Sequence, residues 1–197
     1  RLYFVAVAQI EAPIRGDIIE YVNYAQNLLE HQTFSRDRVS ATPAPDSFRS
    51  PGYPVFLAIA MLLGQQQWYA WALGMQIALA GISVLLTLLL ARQFVSRGWA
   101  IACALLAAVW PHHIVATATL LSEVLFGTVL LGALYVAIRA STARHTGAMI
   151  CAGVLFGIAS LVNPVALLLP VVLGGIRLLR GQRQVGIALL GAGMLLP

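Results

Sequence analysis

Long stretches without a charged side chain restrict the fold of this chain more than any other feature. No Asp, Glu, Lys or Arg occurs in residues 54–91, 98–122 or 145–176. Each stretch is long enough for at least one membrane-crossing helix, which needs about 20 apolar residues. Apolar residues make up 60% of the 197 residues and charged residues only 10%, and a soluble domain of this size could not bury that much apolar surface. The sequence therefore predicts an all-α, integral membrane protein that crosses the bilayer several times.

The charges and the cysteines exclude several other classes of protein. The formal charge of +5 comes from arginine alone, and these arginines are scattered instead of forming the clustered basic face that nucleic-acid binding requires. Cys103 and Cys151 lie within apolar stretches, with no metal-binding or disulfide pattern around them. Because the sequence begins at Arg1 and ends at Pro197 within an apolar run, we interpret it as a piece of a longer protein.

The first half of the chain is predicted to contain two crossings and an outer loop. Residues 2–10 would end a first span, and residues 13–53 would form a long polar loop. Residues 54–63 are too few to cross and predict an interfacial or re-entrant helix, which ends at the Gly64 break. Residues 68–91 form the next full crossing.

The second half is predicted to form two helical hairpins. The first lies between Arg97 and Arg139 and turns at Pro111, and the second lies between Arg144 and Arg177 and is divided at Asn163-Pro164. This arrangement places the following residues on one side of the membrane: Arg92, Arg97, Arg139, Arg144, Arg177, Arg180 and Arg183. The positive-inside rule makes that side cytoplasmic, so the 13–53 loop would lie outside.

The start of the outer loop is predicted to be an amphipathic helix at the membrane surface. One helical stripe of residues 16–30 is apolar, and Tyr21 and Tyr24 suit the headgroup layer. The apolar stripe consists of Ile18, Val22, Ala25 and Leu29, and the polar residues facing away from it are Glu20, Asn23 and Asn27.

Asp17 and Glu20 are the candidate catalytic acids of this helix. Asp-x-x-Glu at a helix start resembles a capping box, which would satisfy free backbone amides without any chemistry. A carboxylate at the rim of the membrane could equally act as a general base on an acceptor hydroxyl. Both interpretations are compatible.

Further along the loop, residues 49–54 combine an arginine, a sharp turn and an aromatic ring. Arg49 could bind a phosphate headgroup through its planar fork, or it could contact ordinary lipid headgroups. Glu123 is the carboxylate deep in the later apolar runs, and its distance from Arg139 along a helix places it near the outer face. Such carboxylates usually line a cavity or a site, and we expect Arg49 and Glu123 to lie at the two sides of one outward-facing cavity. His112 and His113 could approach the same cavity, or they could face water.

Four motifs carry a family resemblance in their order and spacing: GDxxEYxxYAxNLL, PDSFRSPGYPVFLA, LLSEVLF and GVLFGIASLVNP. Together they resemble the membrane half of GT-C glycosyltransferases, particularly the bacterial relatives of protein mannosyltransferases and lipid A aminoarabinose transferases. The resemblance implies that residues 1–197 are the N-terminal part of a GT-C-type helix bundle in the bacterial inner membrane. Residues 13–53 would be its first outer, catalytic loop.

Members of that group transfer a sugar from a polyprenyl-phosphate donor to a lipid, glycan or protein acceptor on the outer face of the membrane. The resemblance implies that Asp17 is the base, with Glu20 as the next acid where many relatives have an adjacent Asp-Glu pair. Asn163 stands where many relatives have arginine before the proline. Some relatives use a divalent metal and others use none, so a metal is possible here. The predicted substrate-binding residues are Arg49, Tyr53, Tyr21, Glu123, His112 and His113.

Two other functions are compatible with the sequence. In a secondary transporter or lipid flippase, Glu123 and the helix breaks at Pro111 and Pro164 would form a site near the midplane. In a scaffold without activity, the acids of the outer loop would have no chemical role. Five of the seven acidic residues lie in the 13–53 loop and no repeated half is seen, which favours the transferase over the transporter.

Overall fold

The computed structural model describes residues 3, 14, 16–38, 40–143, 146–181 and 183–194. This part of the chain is helical and contains no β-strand, which confirms the all-α prediction for the described residues. The predicted end of a first span at residues 2–10 lies outside the described residues, apart from Tyr3.

The described helices are α1 (Asp17–Glu30), α2 (Gly52–Gly64), α3 (Trp68–Ala91), α4 (Arg97–Val109), α5 (Pro111–Ala116), α6 (Glu123–Ala143), α7 (Thr146–Val162), α8 (Leu168–Leu179) and α9 (Arg183–Met194). From α2 onward they follow one another with short connections, whereas the loop of residues 31–51 separates α1 from α2. Short 3₁₀ turns at Gln65–Gln67 and Pro164–Leu167 connect α2 to α3 and α7 to α8.

Two helical stretches are long and apolar enough to cross a membrane. They are Gly52–Ala91, which contains the 3₁₀ turn, and Glu123–Ser141. The 24 residues of α3 alone span roughly 36 Å, which exceeds the roughly 30 Å of a hydrocarbon core. Only 11% of the apolar window in Gly52–Ala91 and 28% of the window in Glu123–Ser141 are buried inside the protein. Large apolar side chains such as Ile82 and Leu85 therefore face outward along α3.

The helix breaks agree with the sequence at three points. The crossing predicted at residues 68–91 has the bounds of α3. The break after Gly64 is present, and Gln65 adopts a φ of 46° there. The division at Asn163 is also confirmed, because its side chain accepts a hydrogen bond from the Val165 N–H (3.1 Å) and caps the 3₁₀ turn.

The predicted break at Pro111 is confirmed, because α4 ends at Val109 and Trp110 is extended. Pro111 then begins α5, where the missing N–H of proline costs nothing because a first-turn N–H has no partner within the helix. A longer irregular connection, to α6, follows at residues 117–122. Because it ends before Pro111, α4 contains only 13 residues, roughly 20 Å of helix, and is shorter than the crossing predicted for this leg.

The long helix α3 is the centre of the packing. It contacts α2, α4 and α6, and α6 in turn packs on α7. A first core joins α1 and α2 to Leu120, with Tyr53 and Leu57 fully buried in it. A second core joins α6, α7 and α9, with Phe156 at its centre.

Glycine allows close contact at two of these interfaces. A Cβ at Gly153 of α7 would lie 2.7 Å from Ala192 Cβ and 2.9 Å from the Leu189 carbonyl oxygen of α9. At the start of α2, a Cβ at Gly52 would lie 2.6 Å from Val162 Cγ2 at the end of α7. Small residues allow helices to approach closely where no hydrophobic force drives helix association in lipid. The contact at Gly52 also holds the end of the polar loop, where α2 begins, against the C-terminal end of α7.

Candidate functional site

Two asparagines of α1 hold the loop that follows the helix. The Asn27 side-chain amide donates to the carbonyl oxygens of Ser35 (2.8 Å) and Asp37 (2.6 Å), and the Asn23 amide donates to the carbonyl of Arg36 (3.1 Å). Both asparagines are buried. Asn23 and Asn27, predicted to face away from the apolar stripe, are therefore not on an open face of the helix, because the loop that follows the helix covers them. Leu29, predicted on the apolar stripe, is exposed instead.

Tyr24 and Asp46 form a second attachment of the same loop. Tyr24 is fully buried, stacks on the Phe34 ring at 4.2 Å, and donates its hydroxyl hydrogen to Asp46. Burial and the neighbouring Asp46 raise the pKa of Tyr24 to about 12. The predicted place of Tyr24 in the headgroup layer is thus wrong, since the ring is enclosed by protein.

Asp46 binds three donors at once. It accepts from Tyr24 and from the backbone N–H groups of Arg36 (2.9 Å) and Phe48 (3.1 Å). Desolvation opposes its ionisation, but these hydrogen bonds and the charge of Arg36 outweigh desolvation and hold the pKa of Asp46 below its ordinary value. The carboxylate is a structural acceptor that fixes both ends of the loop.

Arg49 joins the two candidate catalytic acids. Its Nη2 lies 2.6 Å from Asp17 Oδ1, and its Nε lies 2.5 Å from Glu20 Oε2. Hydrogen bonding to Glu20 is the largest effect on the pKa of Arg49, which is raised, and the bond to Asp17 adds to it. The predicted capping box is wrong: Gly16 occupies the N-cap position, and no side chain caps the helix. Asp17 and Glu20 are one turn apart, so both face the arginine.

The contact with Arg49 involves only one oxygen of each carboxylate. Each has one oxygen bound to Arg49, and among the described residues no donor binds Oδ2 of Asp17 or Oε1 of Glu20. The Asp17 side chain is 61% exposed, whereas Glu20 is 29% and Arg49 is 23% exposed. Asp17 therefore presents an accessible carboxylate oxygen whose partner oxygen is fixed.

A series of aromatic and amide contacts connects this cluster to the long helix α3. The Arg49 guanidinium lies 5.4 Å from the centre of the Tyr21 ring, and Tyr21 meets Tyr53 edge-on at 5.0 Å. The Tyr53 hydroxyl donates to Gln76 Oε1 (2.7 Å), and the Gln76 amide donates to the Thr119 carbonyl (2.8 Å). Tyr53 is fully buried and supports Tyr21, and its predicted contact with a substrate stays a prediction.

Gln76 was missed by sequence reasoning, although a signal for it exists. It is a fully buried amide eight positions into the apolar helix α3. Polar side chains within membrane helices are costly and generally have a structural or functional partner. Here the partners are Tyr53 and the carbonyls of the connection before α6, including that of Thr117 at 3.4 Å.

Glu123 and His113 meet in a different pocket. The pocket has a volume of about 30 Å³ and lies between α3, α5 and α6, with Ser83 and Thr128 also on its wall. His113 lies on the wall of this pocket with Glu123, which is one of the two alternatives for the histidines. His112 and His113 are both exposed, and their rings are nearly perpendicular. The predicted single cavity between Arg49 and Glu123 stays a prediction.

The described residues fit a divalent metal poorly. No group of three or more His, Cys, Asp and Glu side chains is close enough to hold an ion within the part of the chain that the structure describes. The two carboxylates that are nearest to such a site, Asp17 and Glu20, share the Arg49 guanidinium. A metal there would have to displace the arginine and find further ligands.

The structure thus brings Asp17, Glu20, Arg49 and Tyr21 together, with Tyr53 beneath them. No protein-family model, curated protein or solved structure matches the chain. Its function has to be inferred from these residues and their surroundings.

Proposed function

We propose that the chain is the N-terminal part of a multi-pass glycosyltransferase of the GT-C type in a bacterial inner membrane. Its donor would be a sugar linked to polyprenyl phosphate, and its acceptor a hydroxyl of a lipid, glycan or protein at the outer face. The observation that carries this proposal is the exposed carboxylate of Asp17, oriented by Arg49 at the start of α1. A general base for a membrane-bound substrate requires such a group.

The placement of α1 supports the proposal. It packs directly on α2, which begins the apolar stretch Gly52–Ala91. The outward-facing apolar side chains of that stretch would be covered by lipid, because water would make their exposure costly. Asp17 would then lie at the rim of the bilayer, within reach of the headgroup of a lipid-linked donor.

The proposed reaction is a single displacement. The acceptor hydroxyl gives its proton to Oδ2 of Asp17 as its oxygen forms a bond to the anomeric carbon. The bond from that carbon to the phosphate oxygen breaks, the electron pair leaves with the lipid phosphate, and the configuration at the carbon inverts. Arg49 holds Oδ1 in place throughout, so the base does not have to be oriented during the reaction.

The test is sugar transfer by the full-length protein in proteoliposomes with a synthetic polyprenyl-phosphate sugar. Asp17→Asn keeps the shape of the side chain but cannot accept the proton, so we expect a loss of about 10²- to 10⁴-fold in turnover. Glu30→Gln is the matched control, because Glu30 is an exposed acid at the other end of the same helix. Near-native transfer by Asp17→Asn would refute the proposed base, and loss in Glu20→Gln alone would move the role to Glu20.

The pocket of Glu123 and His113 favours a second candidate, a transporter or flippase. An acid and an imidazole share this pocket between apolar helices, an arrangement that proton-coupled transporters use. This function would be favoured if the protein moved the lipid across the bilayer without transferring sugar. Glu123→Gln should then lose this movement, and Asp17→Asn should keep it. The opposite pattern would favour the transferase.

A further inference from the structure

Arg36 is an exposed arginine of the outer loop whose charge lowers the pKa of Asp46. Its side chain is exposed, and it forms no ion pair with any described residue. Arg49 differs, since two carboxylates bind its guanidinium at 2.5 and 2.6 Å. An anion approaching Arg49 would meet these two negative charges first, so Arg49 is a poor site for a phosphate.

The backbone of Arg36 is fixed on both sides. Its N–H donates to Asp46 Oδ2 (2.9 Å), and its carbonyl accepts from the Asn23 amide (3.1 Å). The neighbouring carboxylate of Asp46 is already bound to Tyr24 and to the Phe48 N–H. The hydrogen-bonding capacity of that carboxylate is thus largely taken up by groups other than the Arg36 guanidinium.

An aromatic ring holds the guanidinium of Arg36. Its central carbon lies 4.7 Å from the centre of the Phe48 ring, and the guanidinium of Arg49 lies 5.2 Å from the same centre. Phe48 is 62% exposed, so the stack is at the surface. Stacking leaves the N–H groups at the edge of the guanidinium plane available, and their fork matches the oxygens of a phosphate.

We propose that Arg36, stacked on Phe48, binds the phosphate group of a lipid phosphate. This inference rests on the proposed function for the identity of the lipid as a polyprenyl-linked donor. Arg49, which binds Asp17 and Glu20, lies against the same ring, so the bound phosphate would lie close to these two acids. Arg36 would then hold the leaving phosphate, and Arg49 would hold the base, Asp17.

The test is direct binding of a synthetic polyprenyl phosphate to the full-length protein in detergent, measured together with sugar transfer. Arg36→Lys keeps the charge and loses the fork, and Phe48→Leu keeps an apolar side chain and loses the stack. We expect each to weaken binding roughly tenfold, the equivalent of one hydrogen bond to a charged group. Arg38→Lys is the matched control, because Arg38 is an exposed arginine of the same loop, and it should leave binding unchanged.

Two competitors distinguish the sources of the phosphate. Inorganic phosphate would compete at millimolar concentration if the site recognises the phosphate group alone, and phosphatidylglycerol vesicles would compete if it recognises any anionic headgroup. If either competitor acts on the wild type more strongly than on Arg36→Lys, the phosphate site is supported. The competitor that does so shows whether the site recognises phosphate alone or any anionic headgroup. Competition that is equal in wild type and Arg36→Lys overturns it.

The outcomes separate this inference from the proposed function. Transfer by the wild type with unchanged binding in Arg36→Lys and Phe48→Leu would overturn the role of Arg36 and leave the transferase standing. Arg36-dependent binding without any transfer would support the phosphate site and refute the transferase. Neither binding nor transfer in folded wild-type protein would refute both.

Discussion

The polar loop with α1 and the helices α6 to α9 are stabilised by different means. Within residues 17–49, side chains bind distant backbone groups and each other, as Asn27, Tyr24 and Arg49 do. In the helices α6, α7 and α9 the contacts are apolar, and small residues such as Gly153 allow the backbones to approach. The comparison teaches that hydrogen bonds and ion pairs position the candidate site, whereas close apolar packing holds α6, α7 and α9 together.

A methyl group at the closest helix contact should have the largest effect on stability. In Gly153→Ala the new Cβ would lie 2.9 Å from the backbone oxygen of Leu189, so the helices must separate, and we expect a loss of about 2–3 kcal/mol. Gly175→Ala is the matched control, since nothing lies within 4 Å of its Cβ, and it should stabilise α8 by about 0.5–1 kcal/mol. Thermal unfolding in detergent measures both, and equal effects would show that close packing is not what holds these helices.

The polar region should respond to the loss of a single amide. Asn27→Ala leaves the buried carbonyl of Ser35 and the partly buried carbonyl of Asp37 without their donor. We expect this loss to cost about 1–2 kcal/mol, expressed as opening of the loop. Asn163→Ala is the control, because Asn163 accepts one N–H at an exposed turn. Limited proteolysis within residues 33–48 reports the opening. Unchanged cleavage in Asn27→Ala would mean that the apolar contacts of Phe34 suffice.

The smallest expected effect is that of pH on the same loop. The pKa of Asp46 is held below its ordinary value of 3.8, so its contribution is present above about pH 4 and is lost as the pH falls through the lower, folded pKa. The pKa of Tyr24 is raised from 10.0 to about 12, so its contribution is present below pH 10 and is lost as the pH rises toward 12. Tyrosinate absorbance follows the alkaline limb, which Tyr24→Phe should remove. A midpoint near 10 for Tyr24 would contradict the buried hydrogen bond.

The same division explains what the sequence could predict. The bounds of α3 follow from a charge-free stretch between Gly64 and Arg92, and the break at Asn163 follows from the proline after it. Both are local signals. Proline at position 111 marks the end of α4 as predicted, and it also begins the next helix, α5.

The site was only partly predictable, because its contacts are not local in the sequence. Asp17, Glu20 and Arg49 were recognised as candidates, but their mutual contact joins residues 29 and 32 positions apart, and a pattern on one helix does not contain that information. The burial of Asn23 and Asn27 was not predicted, since the carbonyls that cover them come from a loop without a periodic pattern. A buried amide's partners become visible only when the chain is folded.

The buried amide of Gln76 restricts the order in which the chain can enter the bilayer during synthesis. Its donor group is bound to the carbonyls of Ala116, Thr117 and Thr119, which leave the ribosome 40 to 43 residues later. Until then α3 carries an unpaired amide that hydrocarbon would not satisfy. We expect the insertion machinery to retain α3 until α6 emerges, and Gln76→Leu to release it earlier. Crosslinking of stalled nascent chains to the translocon would show the difference, and identical release of both chains would mean that the amide finds water or lipid carbonyls in the interval.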